Sequence, residues 1–302
     1  MYVMVYPKKP ALNYRQKTLL DLLEVFGGCL PCLDFQNYLF LYTQEFEKQP
    51  SFEFVPYKYG CFSFQSDADK RRMVEIGALV DAEDWCLSKN YVADSFFVDD
   101  AFNNLYRKYS ALKGDDLLRD IYRRYPYYAI KSEIAASLVS GEELAKIKAA
   151  HPQAAEQCFF TIGYEGSSFE GYLNRLIKNN IRTLVDVRRN AFSHKYGFSQ
   201  KTLSETLAKL DIEYIHIPEL GISSAQRQEL NIQADYDRLF ASYEKNELKE
   251  NQAALNNLFE IFKNRKRIAI TCFEADVHKC HRGRIANVLS QRHDWQYDVR
   301  HI

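Results

Sequence analysis

Glycine and proline are scarce in the 302-residue chain, 12 and 8 respectively, which excludes collagen-like repeats and low-complexity linkers. An excess of one charge is missing too. The 40 Lys and Arg offset 40 Asp and Glu, and the halves of the chain hardly differ, so global charge gives no argument for a nucleic-acid or membrane surface. No apolar run approaches the roughly 20 residues that span a bilayer, and Met1–Lys9 lacks the apolar core of a leader, so a soluble cytoplasmic protein with no membrane contact is expected. Cysteine is thin as well. Seven, an odd number, over this length is unlike a secreted disulfide framework, and we read them as thiols. What is plentiful is core material: 46% of the residues are hydrophobic and 14% aromatic, enough for a folded chain whose length calls for two domains.

Leu19, Leu22, Leu23 and Phe26 recur at helical spacing within 14–26, and Gly27-Gly28 stops that helix. A second helix fits Leu33–Phe46, Phe52–Val55 alternates like a strand, Pro56–Cys61 reads as a turn, and Phe64–Gly77 reads as a third helix carrying Lys70, Arg71 and Arg72. Leu79–Val80 and Trp85–Leu87 read as short strands around an Asp-rich turn. This order is that of a winged helix, used for DNA or for protein contacts. Val55-Pro56-Tyr57-Lys58-Tyr59-Gly60-Cys61-Phe62-Ser63 resembles the YKYGPFS segment of small prokaryotic winged-helix-like proteins, with Cys61 where that pattern has Pro. The expected division is a winged-helix-like domain over 1–95, a helical connector over 96–152 and an α/β domain over 153–302. The tyrosine-rich stretch Ile121–Tyr128 of the connector reads as packing rather than as a stacking surface.

From Cys158 the pattern changes to unbroken apolar runs separated by helical segments: Cys158–Ile162, Thr183–Val187, Tyr214–Ile217 and Ile268–Cys272, with Trp295–Ile302 alternating like an edge strand. Such runs predict a Rossmann-like, mostly parallel sheet with helices on both faces. Ligands of open parallel sheets bind beyond the strand C-termini. There the sequence places Tyr164, Glu165, Asp186, Arg188, Arg189, Glu219, Cys272, Glu274, Cys280, His281 and Arg282, a convergence of carboxylates, guanidiniums and thiols that a purely structural rim does not need. The same segments, from Thr161-Ile162-Gly163-Tyr164-Glu165-Gly166 through Asp186-Val187-Arg188-Arg189-Asn190-Ala191-Phe192-Ser193, Gly197-Phe198-Ser199 and Pro218-Glu219-Leu220-Gly221 to Cys272-Phe273-Glu274 and Cys280-His281-Arg282, resemble the family known as domain of unknown function 488. Ala191 stands where that family commonly has Pro. The resemblance spans nearly all of 158–291 and implies a Rossmann-like domain with a shared site, without fixing a reaction.

Read as chemistry, Asp186, Glu274, Cys280 and His281 are the candidate catalytic groups. Cys280 opens a helix, where backbone N–H groups favour a thiolate. Tyr164, Glu165, Arg188, Arg189, Glu219 and Arg282 are the candidate substrate-binding groups, the arginines suiting phosphate. An equally weighted alternative pairs these arginines with Asp186, Glu219 and Glu274 in an internal ion network. Cys272, Cys280 and His281 make zinc conceivable, a reading set second because no Cys-x-x-Cys knuckle accompanies them. Gly163-Tyr164-Glu165-Gly166 has two glycines rather than the three of a dinucleotide fingerprint, so NAD is not expected. Cys29-Leu30-Pro31-Cys32 has redox-pair spacing without the thioredoxin-like strand context, and packing is the favoured reading. The loop His194–Ser199 mixes cations with aromatics as a flap over a base would. The functional expectation is an enzyme acting on nucleic acid or nucleotides by hydrolysis or transfer, with DNA or RNA recognised through Lys70, Arg71 and Arg72 and a nucleotide-like small molecule as possible ligand. The alternative is a nucleotide-sensing regulator or defence component whose winged helix binds DNA or docks a protein.

Overall fold

Asn13 starts the first helix because its side chain accepts from the Gln16 amide at 3.0 Å while the Gln16 side chain accepts from the Asn13 amide at 3.1 Å, a reciprocal cap. The computed structural model describes residues 12–89, 100–223, 226, 230 and 232–302. Met1–Lys9 and the first residues of the expected connector, 96–99, lie outside them. The chain divides into two units, 1–151 and 152–302.

In the first unit, α1 (Tyr14–Val25), β1 (Cys29–Leu30) and α2 (Cys32–Glu45) precede a hairpin of β2 (Val55–Tyr57) and β3 (Gly60–Phe62). Then come α3 (Phe64–Glu75), β4 (Trp85–Cys86), α4 (Asp100–Tyr109), α5 (Gly114–Arg124), α6 (Ala135–Leu138) and α7 (Gly141–Ala150). Positive φ at Gly27 and Gly28, 88° and 86°, ends α1 in a conformation that a side chain would oppose. The segment read as one strand and a turn is instead the β2–β3 hairpin, closed at Gly60. β4 pairs antiparallel with β1, Cys29 opposite Cys86, and those two cysteines are bonded as a disulfide. The expectation of seven thiols is thereby corrected: a strand pairing across 57 positions of sequence brings together two cysteines whose spacing carries no signal. Cys29 thus bonds with Cys86, and its sequence neighbour Cys32 is free.

One core runs through the first unit, from Leu19, Phe35 and Trp85 to Leu105, Leu118 and Ile147, so that α4, α5 and α7 share the core of α1–α3. Phe40 receives Tyr125 and Tyr128 edge-on, with ring centroids 5.0 and 4.6 Å away, and those tyrosines of the aromatic stretch pack as read.

The second unit alternates strands and helices: β5 (Cys158–Gly163), α8 (Phe169–Lys178), β6 (Thr183–Asp186), α9 (Gln200–Lys209), β7 (Glu213–His216), α10 (Gln233–Lys245), α11 (Glu247–Glu250), α12 (Gln252–Arg265), β8 (Arg267–Cys272), α13 (His281–Ser290) and β9 (Asp298–His301). All five strands are parallel, in the order β7-β6-β8-β5-β9. Every residue of β5, β6 and β8 is buried, as continuous apolar runs require of strands covered on both faces. This is the Rossmann-like sheet that the runs predict. No helix among the described residues is long and apolar enough to cross a membrane.

Candidate functional site

Strand register brings the site together. Gly163 lies beside Cys272, Asp186 beside Thr271 and beside His216, so the ends of β5, β8, β6 and β7 share one edge. Each chain then leaves the sheet carrying polar side chains.

At the end of β6, Asp186 is fully buried and Arg188 is 6% exposed. The guanidinium grips the carboxylate through Nε at 2.9 Å and Nη2 at 2.5 Å, and its other Nη donates to the Tyr164 hydroxyl and the Phe198 carbonyl at 2.8 and 2.9 Å. Burial opposes the charge on Arg188, and the adjoining carboxylate more than restores it, so the group stays firmly cationic. Tyr214 adds a hydroxyl to Asp186 at 2.7 Å, and burial followed by that carboxylate pushes its phenol up. Sequence reading missed Tyr214. Its only signal was position, at the start of the strand expected over Tyr214–Ile217.

At the end of β8, Cys272 donates to the Glu274 carboxylate at 3.2 Å and lies 3.5 Å from His281 Nδ1. Cys280 is the N-cap of α13, yet it is fully buried, and burial together with the hydrogen bond to Cys272 pushes its thiol well up. Burial therefore outweighs the helix-terminus effect that made Cys280 the thiolate candidate on sequence. His281 Nε2 lies 3.0 Å from the Val187 carbonyl, an acceptor only, so Nε2 carries the proton and Nδ1 turns its lone pair toward Cys272. Arg282, 1% exposed, donates to the carbonyls of Glu274 and Ala275 and so pins the loop after β8 to α13. Its partners are carbonyls rather than the carboxylates or phosphate that sequence suggested.

Two clefts open over this edge. One, about 450 Å³, is lined by Tyr164 and Arg188 in its floor, by Arg189, Asn190, Phe192, Ser193, His194 and Lys195 of the loop after β6, and by Ile222, Cys272 and Phe273. Phe192 and Phe273 are 60% and 43% exposed there. Lys195 donates to the Tyr164 carbonyl at 3.1 Å, and the Ser193–Ser199 hydroxyl and amide contacts fold the loop over itself. The other cleft, about 560 Å³, contains Glu165, Glu274, Asp276 and Lys279 with Tyr236 and Phe240. Glu165 there accepts from the Ala275 amide at 2.9 Å. The candidate residues thus divide: Tyr164, Arg188, Arg189 and Cys272 meet in the cationic cleft, Glu165 and Glu274 in the acidic one, and Glu219 sits in the turn Pro218–Leu220, lining neither.

In the first unit, Lys70 reaches the Ala82 and Glu83 carbonyls at 2.9 and 2.7 Å, Arg71 pairs with Asp67 at 2.5 Å, and Arg72 with Glu75 at 2.8 Å.

A parallel α/β unit with a cationic cleft and a thiol–imidazole cluster at its strand ends is the class that fold and site define. Residues 168–289 match the family described as Domain of unknown function DUF488, and the second unit carries that domain. No curated protein and no solved structure matches the chain.

Proposed function

We propose that the cationic cleft binds a phosphate-bearing ring compound of nucleotide class, free or within a nucleic-acid strand, and that the protein acts on it by hydrolysis or transfer. The observation that carries this reading is the lining of the cleft: Arg189, His194 and Lys195 line it together with the exposed rings of Phe192 and Phe273, and among the described residues none that lines it is a carboxylate. Cations suit phosphate and exposed rings suit a base. The first unit supports a winged-helix-like recognition role for DNA or RNA, because β1 pairs with β4 and Leu79 bridges Leu87 after three helices, the strand arrangement of that module. One observation favours the non-catalytic alternative: Asp186 and Arg188 are spent on each other, which takes the Asp186 carboxylate out of acid–base chemistry.

Arg189 is exposed, and its exchange leaves the core intact. Titration of nucleoside monophosphates and short single-stranded oligonucleotides should show binding that Arg189→Glu weakens about tenfold or more, the loss of one charge-assisted hydrogen bond. Binding unaffected by that exchange, or none at low salt, overturns the reading, and product formation during the same incubation separates enzyme from sensor.

A further inference from the structure

The buried cluster beside the cationic cleft has the composition of a metal centre. The ligand atoms of Cys272, Cys280 and His281 all lie within 4.8 Å of one another, and all three residues are buried. Two thiols and an imidazole are the donor set zinc prefers. The spacing agrees: tetrahedral zinc with bonds of about 2.3 Å to sulfur and 2.0 Å to nitrogen holds those two atoms about 3.5 Å apart, and Cys272 Sγ to His281 Nδ1 is 3.5 Å. The imidazole is oriented for this, since the Val187 carbonyl holds the proton on Nε2 and leaves Nδ1 facing the sulfur. The charges balance as well, because a divalent cation cancels two thiolates.

We propose that Cys272 Sγ, Cys280 Sγ and His281 Nδ1 form a three-ligand zinc site whose fourth position opens toward the cleft that Cys272 lines. Binding replaces two S–H bonds by two Zn–S bonds and releases two protons to the solvent, the one from Cys272 by way of the Glu274 carboxylate already accepting from it. Resting on the ligand class proposed above, the open position is where a phosphoryl oxygen or water would be polarised. The metal site itself does not depend on that ligand.

The test uses the full chain and metal alone. After purification and dialysis under reducing conditions, metal analysis should find about one zinc per chain. Cobalt added to the metal-free chain should give thiolate-to-metal charge transfer and tetrahedral d–d bands. Cys280→Ser should roughly halve that charge transfer, and His281→Ala should weaken cobalt affinity about 100-fold or more. Because the unsubstituted chain supplies the first two readouts, a variant that fails to fold leaves the test standing. No retained zinc together with no cobalt spectrum overturns the site, as does a cluster that oxidises to a Cys272–Cys280 disulfide while binding neither ion. A chain that binds zinc but no nucleotide keeps this inference and removes the ligand reading.

Discussion

At the scale of single residues, the sequence shows which groups reach the rim but not how they are spent. Asp186 and Arg188, two apart, are equally consistent with an anion pocket and with an internal ion pair, and only the burial of both side chains decides for the pair. Arg188→Ala should destabilise the second unit by about 3–5 kcal/mol, because it leaves the Asp186 carboxylate buried without its partner. Arg188→Lys should recover only part of that, since a single ammonium cannot bond Asp186, Tyr164 and Phe198 together. Chemical denaturation of the variants measures both, and a loss under about 1 kcal/mol for Arg188→Ala contradicts the pair's structural weight. Asp21 on α1 is a different case. Burial pushes its carboxyl up from 3.8 to about 6. The folded chain therefore holds that proton more tightly than the unfolded chain, and stability falls as pH rises from about 4 to 6. Asp21→Asn should be the more stable form at pH 7 by about 1–2 kcal/mol, with the difference gone below pH 4. Melting temperatures across that range check it, and a constant offset contradicts it.

At the scale of elements, legibility tracks local pattern. The strand runs at 158, 183 and 268 were readable because strands covered on both faces must be apolar throughout, whereas the β1–β4 pairing rests on four residues and a long-range contact, which periodicity cannot register. The loops after β5 and β8 show a constraint of another kind. The amides of Tyr164 and Glu165 both donate to the Phe273 carbonyl, at 3.1 and 2.8 Å, and the two segments approach so closely that a Cβ on Gly163 would collide with the Glu274 backbone. Gly163 is thus needed for contact, not for a turn or a dinucleotide. Gly163→Ala should cost about 1–3 kcal/mol and shift Glu274 and Cys272, lowering metal affinity along with stability. A variant with unchanged denaturation midpoint and metal binding would show that the two loops are not held together.

At the scale of the whole molecule, the chain has two units, each with its own core, and the helices over 100–150, read as a connector, share the core of the first. Function was less legible at this scale because zero net charge is compatible with every partner class, and what matters is how the cations of α3 are committed. Arg71 and Arg72 pair within their own helix while largely exposed, and Lys70 holds the carbonyls of residues 82 and 83. Exposed pairs of this kind are worth under about 1 kcal/mol, so a phosphate backbone can recruit those arginines at little cost. Each phosphate so neutralised releases counterions and adds about 0.9 to the slope of log affinity against log salt on duplex DNA. If α3 carries the recognition proposed for the first unit, combined charge reversal at Lys70, Arg71 and Arg72 should weaken duplex binding by a similar factor for all sequences and reduce the slope by about three. Arg189→Glu, on the second unit, should change that slope by no more than about one. Fluorescence anisotropy of two unrelated duplexes over a salt series separates these terms. A slope that ignores the triple reversal, or no binding at low salt, would remove nucleic acid from the first unit and leave its α3 face as a surface for protein contacts.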